Sequence, residues 1–218
     1  DPPAGEPQGR GRPLVNVLSK LTAEDRIAAV LAMPEDPAVQ AQTYIGFATE
    51  SGGVRRNRLS DFASIHAGGK MAMPLTDDDG RVVDRLVGVF CCDDDHDVVL
   101  STHKGIFIRF PAREVRVFSG RSSTGVRGIR LGDGDRVINA MALDHVDTVN
   151  GEAVGFLKQA AQQRRMDLGE SRDEEASVLD EDRFEELKAR EQLVLNVTSR
   201  GFGKRTSSFA YRCTGRGG

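Results

Sequence analysis

Short apolar stretches, separated by glycine-containing or acidic turns, recur along this 218-residue chain. Between residues 84 and 110 the pattern predicts three strands, at 85–92, 98–102 and 106–110. The acidic turn DDDHD joins the first two strands, and a Lys-Gly turn joins the second to the third. The runs are too short for helices of ordinary length, so the pattern predicts a mainly β fold.

The predicted strands belong to a repeated unit. FATESGGVRRNRLSDF begins at Phe47, LSTHKGIFIRFPAREV at Leu100 and NVTSRGFGKRTSSFAY at Asn196. The offsets are 53 and 96 residues, and removing about 43 residues from the second interval restores the period. The gapless alignment superimposes two sets of residues, namely Gly52, Gly105 and Gly201, and Arg56, Arg109 and Arg205.

A second element repeats before the β-rich stretches. DRIAAVLA begins at Asp25, DRLVGVFC at Asp84 and DRVINAMA at Asp135. Short strands, glycine turns and a period near 50 residues are typical of propeller-like blades of about four strands each. The chain is therefore predicted to hold about three blades, a partial propeller.

The extra residues of the longer interval have a helical pattern. Ala153, Leu157 and Ala160 fall on one helical face. In DEDRFEELKAREQL, Asp180 is the predicted N-cap, and Glu186 is predicted to pair with Arg190. We predict helices near 152–165 and 180–191, and three regions of one domain: blades at 1–143, an acidic helical insert at 144–192, and a blade continuation at 193–218.

The charge is unevenly distributed. The chain has 30 Lys and Arg against 33 Asp and Glu, but the insert alone has 7 against 14. The blades are therefore weakly basic, which favours a polyanionic partner. Few aromatic residues interleave with the basic ones, so stacking on single-stranded bases is not indicated.

No motif predicts catalysis or metal binding. RGFGKRT lacks the first glycine of a phosphate-binding loop, since Thr198 stands there, and Arg205 follows Lys204 where Ser or Thr is needed. His96 in DDDHD is interpreted as part of a solvated turn. The chain has three cysteines, two of them adjacent, which favours free thiols in a reducing compartment over a disulfide framework. No apolar run approaches the length of a membrane span.

Positive charge recurs at matching repeat positions, around the glycine turns and in the segments that connect the blades. In a ring of blades these side chains would meet on one rim, which suits the phosphates of duplex DNA. The predicted DNA contacts are Arg10, Arg12, Arg55, Arg56, Arg58, Lys70, Lys104, Arg109, Arg121, Arg127, Arg130, Lys204 and Arg205.

Three segments, GRGRPLVNVL, STGVRGIRLGDGDRV and GFGKRTSSFAYR, closely resemble successive blades of the C-terminal domain of the DNA gyrase A subunit. The resemblance implies a β-pinwheel whose basic rim wraps double-stranded DNA and so supports negative supercoiling by the whole enzyme. It implies no catalytic residue or cofactor in this chain, because the catalytic tyrosine and the ATPase with its ATP and Mg belong to other parts of that type IIA topoisomerase. The implied partners are DNA, the gyrase A catalytic core and the gyrase B subunit, in the bacterial cytoplasm at the nucleoid and without a membrane.

Two alternatives stay open. The chain is also compatible with the C-terminal domain of the topoisomerase IV A subunit, or with a propeller that binds other proteins through its insert. The Gln-Arg-Arg-Gly-Gly-Lys-Gly box of the gyrase family is not found in this sequence. The insert is either a solvated addition or a competitor of DNA for the basic rim.

Overall fold

The computed structural model of the chain describes residues 9, 11, 13, 16, 18, 21–22, 25–62, 69–149, 151–169 and 179–218. The predicted DNA contacts Arg10 and Arg12 lie outside these residues. Strands in the described part are β1 Tyr44–Thr49, β2 Gly53–Arg58, β3 Leu86–Cys92, β4 His96–Thr102, β5 Phe107–Pro111, β6 Val126–Arg127, β7 Val137–Asp144, β8 Leu193–Val197 and β9 Gly203–Ser207. The α-helices are α1 Pro37–Gln42, α2 Glu152–Asp167 and α3 Glu181–Ala189.

Each repeat forms an antiparallel hairpin, β1–β2, β4–β5 or β8–β9. The hairpin tips share one geometry, in which the amide of Gly52, Gly105 or Gly201 donates to the carbonyl of a threonine three residues earlier. These glycines have φ of 89°, 85° and 83°, a region that side chains with a Cβ rarely adopt. A short 3-10 helix follows each hairpin, at Leu59–Phe62, Ala112–Glu114 and Ser208–Ala210. The observed repeat therefore includes the turn after the hairpin.

The Asp-Arg strands pair with the hairpin of the preceding unit. β3 pairs with β1, and β7 pairs with β4, both antiparallel and both with a register shift near the hairpin tip. The acidic turn between β3 and β4 thus joins two sheets and is not a hairpin. We call this pairing strand exchange, because the Asp-Arg strand of one unit completes the sheet of the unit before it. Neighbouring blades are therefore held together by the continuous chain and by strand exchange.

The prediction of about four strands per blade holds for one sheet only among the described residues. Blade 1 has the order β3-β1-β2-β6, blade 2 has β5-β4-β7, and blade 3 is the hairpin β8-β9. The first Asp-Arg segment, predicted to resemble the other two, has no strand over residues 25–34. An apolar sequence needs a hairpin edge beside it before it becomes a strand, and this segment has none in the described structure.

Connecting segments run back from each hairpin to the blade before it. Connector A (residues 115–130) leaves β5 and docks on blade 1, where β6 pairs with β2. Connector B (residues 211–218) leaves β9 and docks on β5 and then on connector A, through the bridges Arg109 to Cys213 and Ile129 to Gly217. The main core, which includes Val54, Phe90, Leu100 and Phe110, lies between blades 1 and 2.

The insert is packed onto the protein. Phe156 of α2 and Phe184 and Leu187 of α3 enclose Phe209, which follows β9. Burying an aromatic side chain of this kind stabilises a fold by about 2 kcal/mol. The helices therefore form a second small core against blade 3 and are not a freely solvated addition.

Two local predictions for the insert need correction. Glu186 accepts from Arg183 at 2.7 Å, three residues earlier, whereas Arg190 donates to the backbone oxygen of His145 at 2.9 Å. Arg190 lies at the C-terminal cap of α3, so its side chain reaches the segment after β7. Asp180 is at the N-cap position but makes no side-chain cap hydrogen bond.

Candidate nucleic-acid interface

Arg55, a predicted DNA contact, is inside the protein. Its side chain has 0% exposure. The guanidinium donates to Asn57 Oδ1 at 2.8 Å, to the backbone oxygen of Ser123 at 2.6 Å and to that of Gly120. Burial, with a smaller contribution from the charge of Arg121, lowers the pKa of Arg55. Arg55 thus fastens connector A to β2 and offers no surface to a phosphate.

Arg56 has the same role from the other face of β2. It is 6% exposed, and it donates to the backbone oxygen of Val115 and, at 2.6 Å, to Asp94 Oδ1. Its guanidinium carbon lies 4.6 Å from the centre of the Tyr44 ring, a distance typical of cation–π contact. Arg56 therefore holds blade 1, the acidic turn and the start of connector A together.

Arg109 is the blade 2 counterpart of Arg56. It is 4% exposed and donates to Asp97 Oδ2 at 2.7 Å, and Asp97 itself is fully buried. It also donates to the backbone oxygens of Ser208 at 2.8 Å and Asp144 at 3.1 Å. The residue joins three segments that are distant in the sequence, so its charge is used internally.

The remaining predicted contacts are at least partly accessible. Six are exposed: Arg58, Lys104, Arg127, Arg130, Lys204 and Arg205. Lys70 and Arg121 are half-buried. Two of the ammonium groups bond to backbone oxygens at 2.5 Å, Lys70 to that of Asp61 and Lys104 to that of Asp133.

An exposed basic patch forms where the two connectors run side by side. The amide of Arg130 donates to the backbone oxygen of Gly217 at 3.2 Å, and Arg216 Nη1 donates to the backbone oxygen of Arg127 at 2.6 Å. Arg127, Arg130 and Arg216, all at least partly exposed, are here called the connector patch. They are brought together from positions almost 90 residues apart in the sequence.

Arg216 is absent from the contacts predicted from the sequence. The signal was present, because TGVRG in connector A and TGRGG in connector B are similar segments that each carry an arginine. Only the packing of connector B on connector A places that arginine beside Arg127.

One side-chain cluster has the composition of a metal site. Ligand atoms of Asp97, His145 and Cys213 lie within 4.8 Å of one another, the one such group found in the part of the chain that the structure describes. No metal site was predicted from the sequence, because these residues come from three distant segments. All three cysteines are free; Cys92 is buried in β3, which raises its pKa to about 12, and Cys91 is half-buried.

Strand exchange, the repeated hairpin and the connector contacts define the chain as a propeller-like, β-bladed repeat domain. The family model described as "DNA gyrase C-terminal domain, beta-propeller" matches residues 44–93, 96–144 and 192–218. These matched ranges leave out α2 and α3. The chain belongs to this family.

Similar curated proteins are gyrase A subunits. The chain is 42% identical to the DNA gyrase A subunit of Granulibacter bethesdensis and 36% identical to that of Rickettsia bellii, with 99% of this chain and 24% of each relative covered. It is 37% identical to the Escherichia coli protein over 60% of its own length. The chain thus spans about a quarter of the length of the first two relatives.

Two solved structures share the fold. A gyrase A C-terminal domain covers 81% of this chain with a TM-score of 0.51 and 19% identity, and 42% of that domain is covered. The C-terminal domain of DNA topoisomerase IV covers 95% with a TM-score of 0.60 and 18% identity, with 48% of it covered. In the described residues, no helix is long and apolar enough to cross a membrane.

Proposed function

We propose that this chain is a non-catalytic module of the DNA gyrase A subunit that binds duplex DNA and bends it. The observation that carries the proposal is the connector patch, in which the two connector segments that carry three accessible arginines run side by side on a domain of the gyrase family. Arginines on a rigid backbone contact phosphates without reading sequence, as a wrapping surface requires.

The buried arginines support the proposal indirectly. Arg55, Arg56 and Arg109 fix the connectors to the blades, so the exposed side chains stand on a preorganised frame. Phosphate binding then requires ordering of side chains only, at a lower entropic cost than ordering a loop. We therefore restrict the proposed contacts to the accessible residues, which are the connector patch with Arg58, Lys104, Lys204, Arg205, Lys70 and Arg121.

In the whole enzyme, the proposed module guides DNA to the gyrase A catalytic core, which works with the gyrase B subunit in the bacterial cytoplasm. The chain itself needs no cofactor for this role. We assign ATP, Mg and the supercoiling activity to the parts of the enzyme outside this chain.

The experiment is a titration of the chain into a labelled duplex of about 40 base pairs at several salt concentrations. The logarithm of the association constant is expected to fall with the logarithm of salt concentration, by about 0.9 for each neutralised phosphate. The triple variant Arg127→Gln, Arg130→Gln, Arg216→Gln should weaken binding and reduce that slope by up to about 3.

A matched control removes three charges from the insert helices, with Lys158→Gln, Arg164→Gln and Lys188→Gln. Its slope should stay within about 1 of the original. Equal losses in both triple variants would show that net charge, and not the connector patch, determines binding. No binding at low salt would favour the protein-binding alternative.

A further inference from the structure

We propose that Asp97, His145 and Cys213 form a zinc site at the junction of blade 2, connector B and the insert. Asp97 lies on β4, His145 directly follows β7, and Cys213 belongs to connector B. Asp97 Oδ1 is the centre of the group, 2.7 Å from His145 Nδ1 and 3.7 Å from Cys213 Sγ. Sulfur, imidazole nitrogen and carboxylate oxygen are the ligands that Zn²⁺ prefers.

The distances suit a metal ion after a small adjustment. With ordinary zinc bond lengths, neighbouring ligand atoms of a tetrahedral site are about 3.3 to 3.6 Å apart. The sulfur is already near that separation from Oδ1, and the imidazole has to withdraw by about half an ångström. Both present contacts are hydrogen bonds, so the ion would replace shared protons and not an apolar contact.

Groups that orient the ligands are already in place. Arg109 donates to Asp97 Oδ2 at 2.7 Å, which leaves Oδ1 directed at the other two ligands. His145 Nε2 lies 3.0 Å from Asp147 Oδ1, so a proton on Nε2 is held there and Nδ1 is left as the ligand atom. Carboxylate partners of this kind are usual behind metal-binding histidines.

Comparison of the repeats supports a specific site. The blade 1 counterparts of Asp97, His145 and Cys213 are Tyr44, Asp94 and Val117, as the strand registers and the two connector bridges establish. Only Asp94 among these counterparts has a side chain of the usual zinc ligand set, which is Cys, His, Asp and Glu. At this junction blade 2 therefore has the proposed ligands Asp97 and Cys213 where blade 1 has Tyr44 and Val117.

The site has an open side. A cavity of about 490 Å³, lined among others by Arg109, His145, Val149, Phe209 and Cys213, lies between connector B and the start of the insert. Three protein ligands would leave the fourth position to water from this cavity. Without a metal, burial and the nearby Asp97 carboxylate raise the pKa of the Cys213 thiol to about 11. Binding of Zn²⁺ displaces two protons to solvent, the thiol proton and the one shared by His145 Nδ1 and Asp97 Oδ1, and leaves a metal-bound thiolate.

The test uses the reduced, metal-stripped chain and Co²⁺ as a spectroscopic probe. We expect one Co²⁺ per chain, with a thiolate-to-cobalt charge-transfer band in the near ultraviolet that added Zn²⁺ abolishes. Cys213→Ser should lose the band, whereas Cys91→Ser, which removes another half-buried thiol, should keep it. Zn²⁺ should also raise the thermal midpoint of the original chain and leave that of Cys213→Ser unchanged.

A second variant keeps the test informative if Cys213→Ser fails to fold, because it leaves the three proposed ligands in place. Asp147 has a side-chain exposure of 98%, so Asp147→Ala should leave the fold intact, but by removing the acceptor for His145 Nε2 it should weaken Co²⁺ binding by about tenfold or more. Three results would overturn the site: no band at millimolar Co²⁺, a band that persists in Cys213→Ser, or unchanged affinity in Asp147→Ala. Asp97, His145 and Cys213 would then be a hydrogen-bonded junction only.

Discussion

Blades 1 and 2 place an arginine at the same repeat position but neutralise it differently. Arg109 pairs with Asp97, which is fully buried, whereas Arg56 lies over the Tyr44 ring and pairs with Asp94, whose side chain is 58% exposed. A connector docks on the backbone of each arginine. The amide of Thr214 donates to the backbone oxygen of Arg109 at 2.8 Å, and the amide of Phe118 donates to that of Arg56 at 2.9 Å. In both blades the arginine docks a connector, but the groups that neutralise its charge differ from one blade to the other.

The difference decides how each blade responds to mutation. A buried ion pair contributes little net stability when intact, but it is costly when one partner is removed. A guanidinium over an aromatic ring with an exposed carboxylate depends on several weaker contacts. Blade 2 should therefore be the more sensitive of the two to loss of a single side chain.

The largest effect is expected from Asp97→Ala. It leaves the Arg109 charge buried without a counterion, which should lower the free energy of unfolding by about 3 to 5 kcal/mol. Urea unfolding with a metal chelator present measures it. The control Asp94→Ala should cost less than about 1 kcal/mol, because Asp94 is largely exposed. Equal losses in the two variants would contradict the comparison.

Tyr44→Leu should have the next largest effect. It removes the ring under Arg56 and should lower the free energy of unfolding by about 1 to 2 kcal/mol. Tyr44→Phe keeps the ring and should be close to the original chain in the same urea experiment. If Phe costs as much as Leu, the hydroxyl and not the ring is responsible.

Acid should destabilise the corner where β3 begins. Burial alone would raise the pKa of Asp84, but hydrogen bonds from Ser51, Thr49 and the backbone outweigh it, so the pKa is lowered below 3.8. A lowered pKa stabilises the fold above pH 3.8, and this contribution is lost as the pH falls further. Asp84→Asn should reduce stability at about pH 7 by less than about 1 kcal/mol.

The same variant has a signature in its pH profile. The stability difference between Asp84→Asn and the original chain should shrink as unfolding is measured from about pH 5 down toward about pH 2. A difference that stays constant over this range would show that the carboxylate charge has no part in the corner. In blade 2, Asp135 accepts from the amide of Lys104 and is the equivalent carboxylate.

The smallest effect is expected for Arg205→Gln. Arg205 occupies the repeat position of Arg56 and Arg109, but it is exposed on β9, and no connector docks on it in the described part of the chain. Its replacement should change the free energy of unfolding by no more than about 0.5 kcal/mol. A loss of several kcal/mol would mean that Arg205 is also a docking arginine.

Local pattern was sufficient to predict many of the elements. The glycine turns, the strands at 98–102 and 106–110 and the helices near 152–165 and 180–191 correspond to β4, β5, α2 and α3. Turn geometry and helical periodicity depend on residues a few positions apart, so one sequence contains this information. The family was suggested by a resemblance of three short segments to blades of the gyrase A C-terminal domain, and the family model confirmed it.

Tertiary structure decided which strands pair and which charges are hidden. Nothing in DRLVGVFC indicates that it completes the preceding hairpin, since any hairpin edge offers the same backbone hydrogen bonds. The spacing of the arginines also does not predict that Arg109 is buried beside a buried carboxylate whereas Arg127 is exposed. The junction of Asp97, His145 and Cys213 exists only because exchanged strands and returning connectors bring residues 97, 145 and 213 to one point. Sequence by itself determined the repeated unit and its local elements, whereas the packing of one unit on the next determined the chemistry at their junctions.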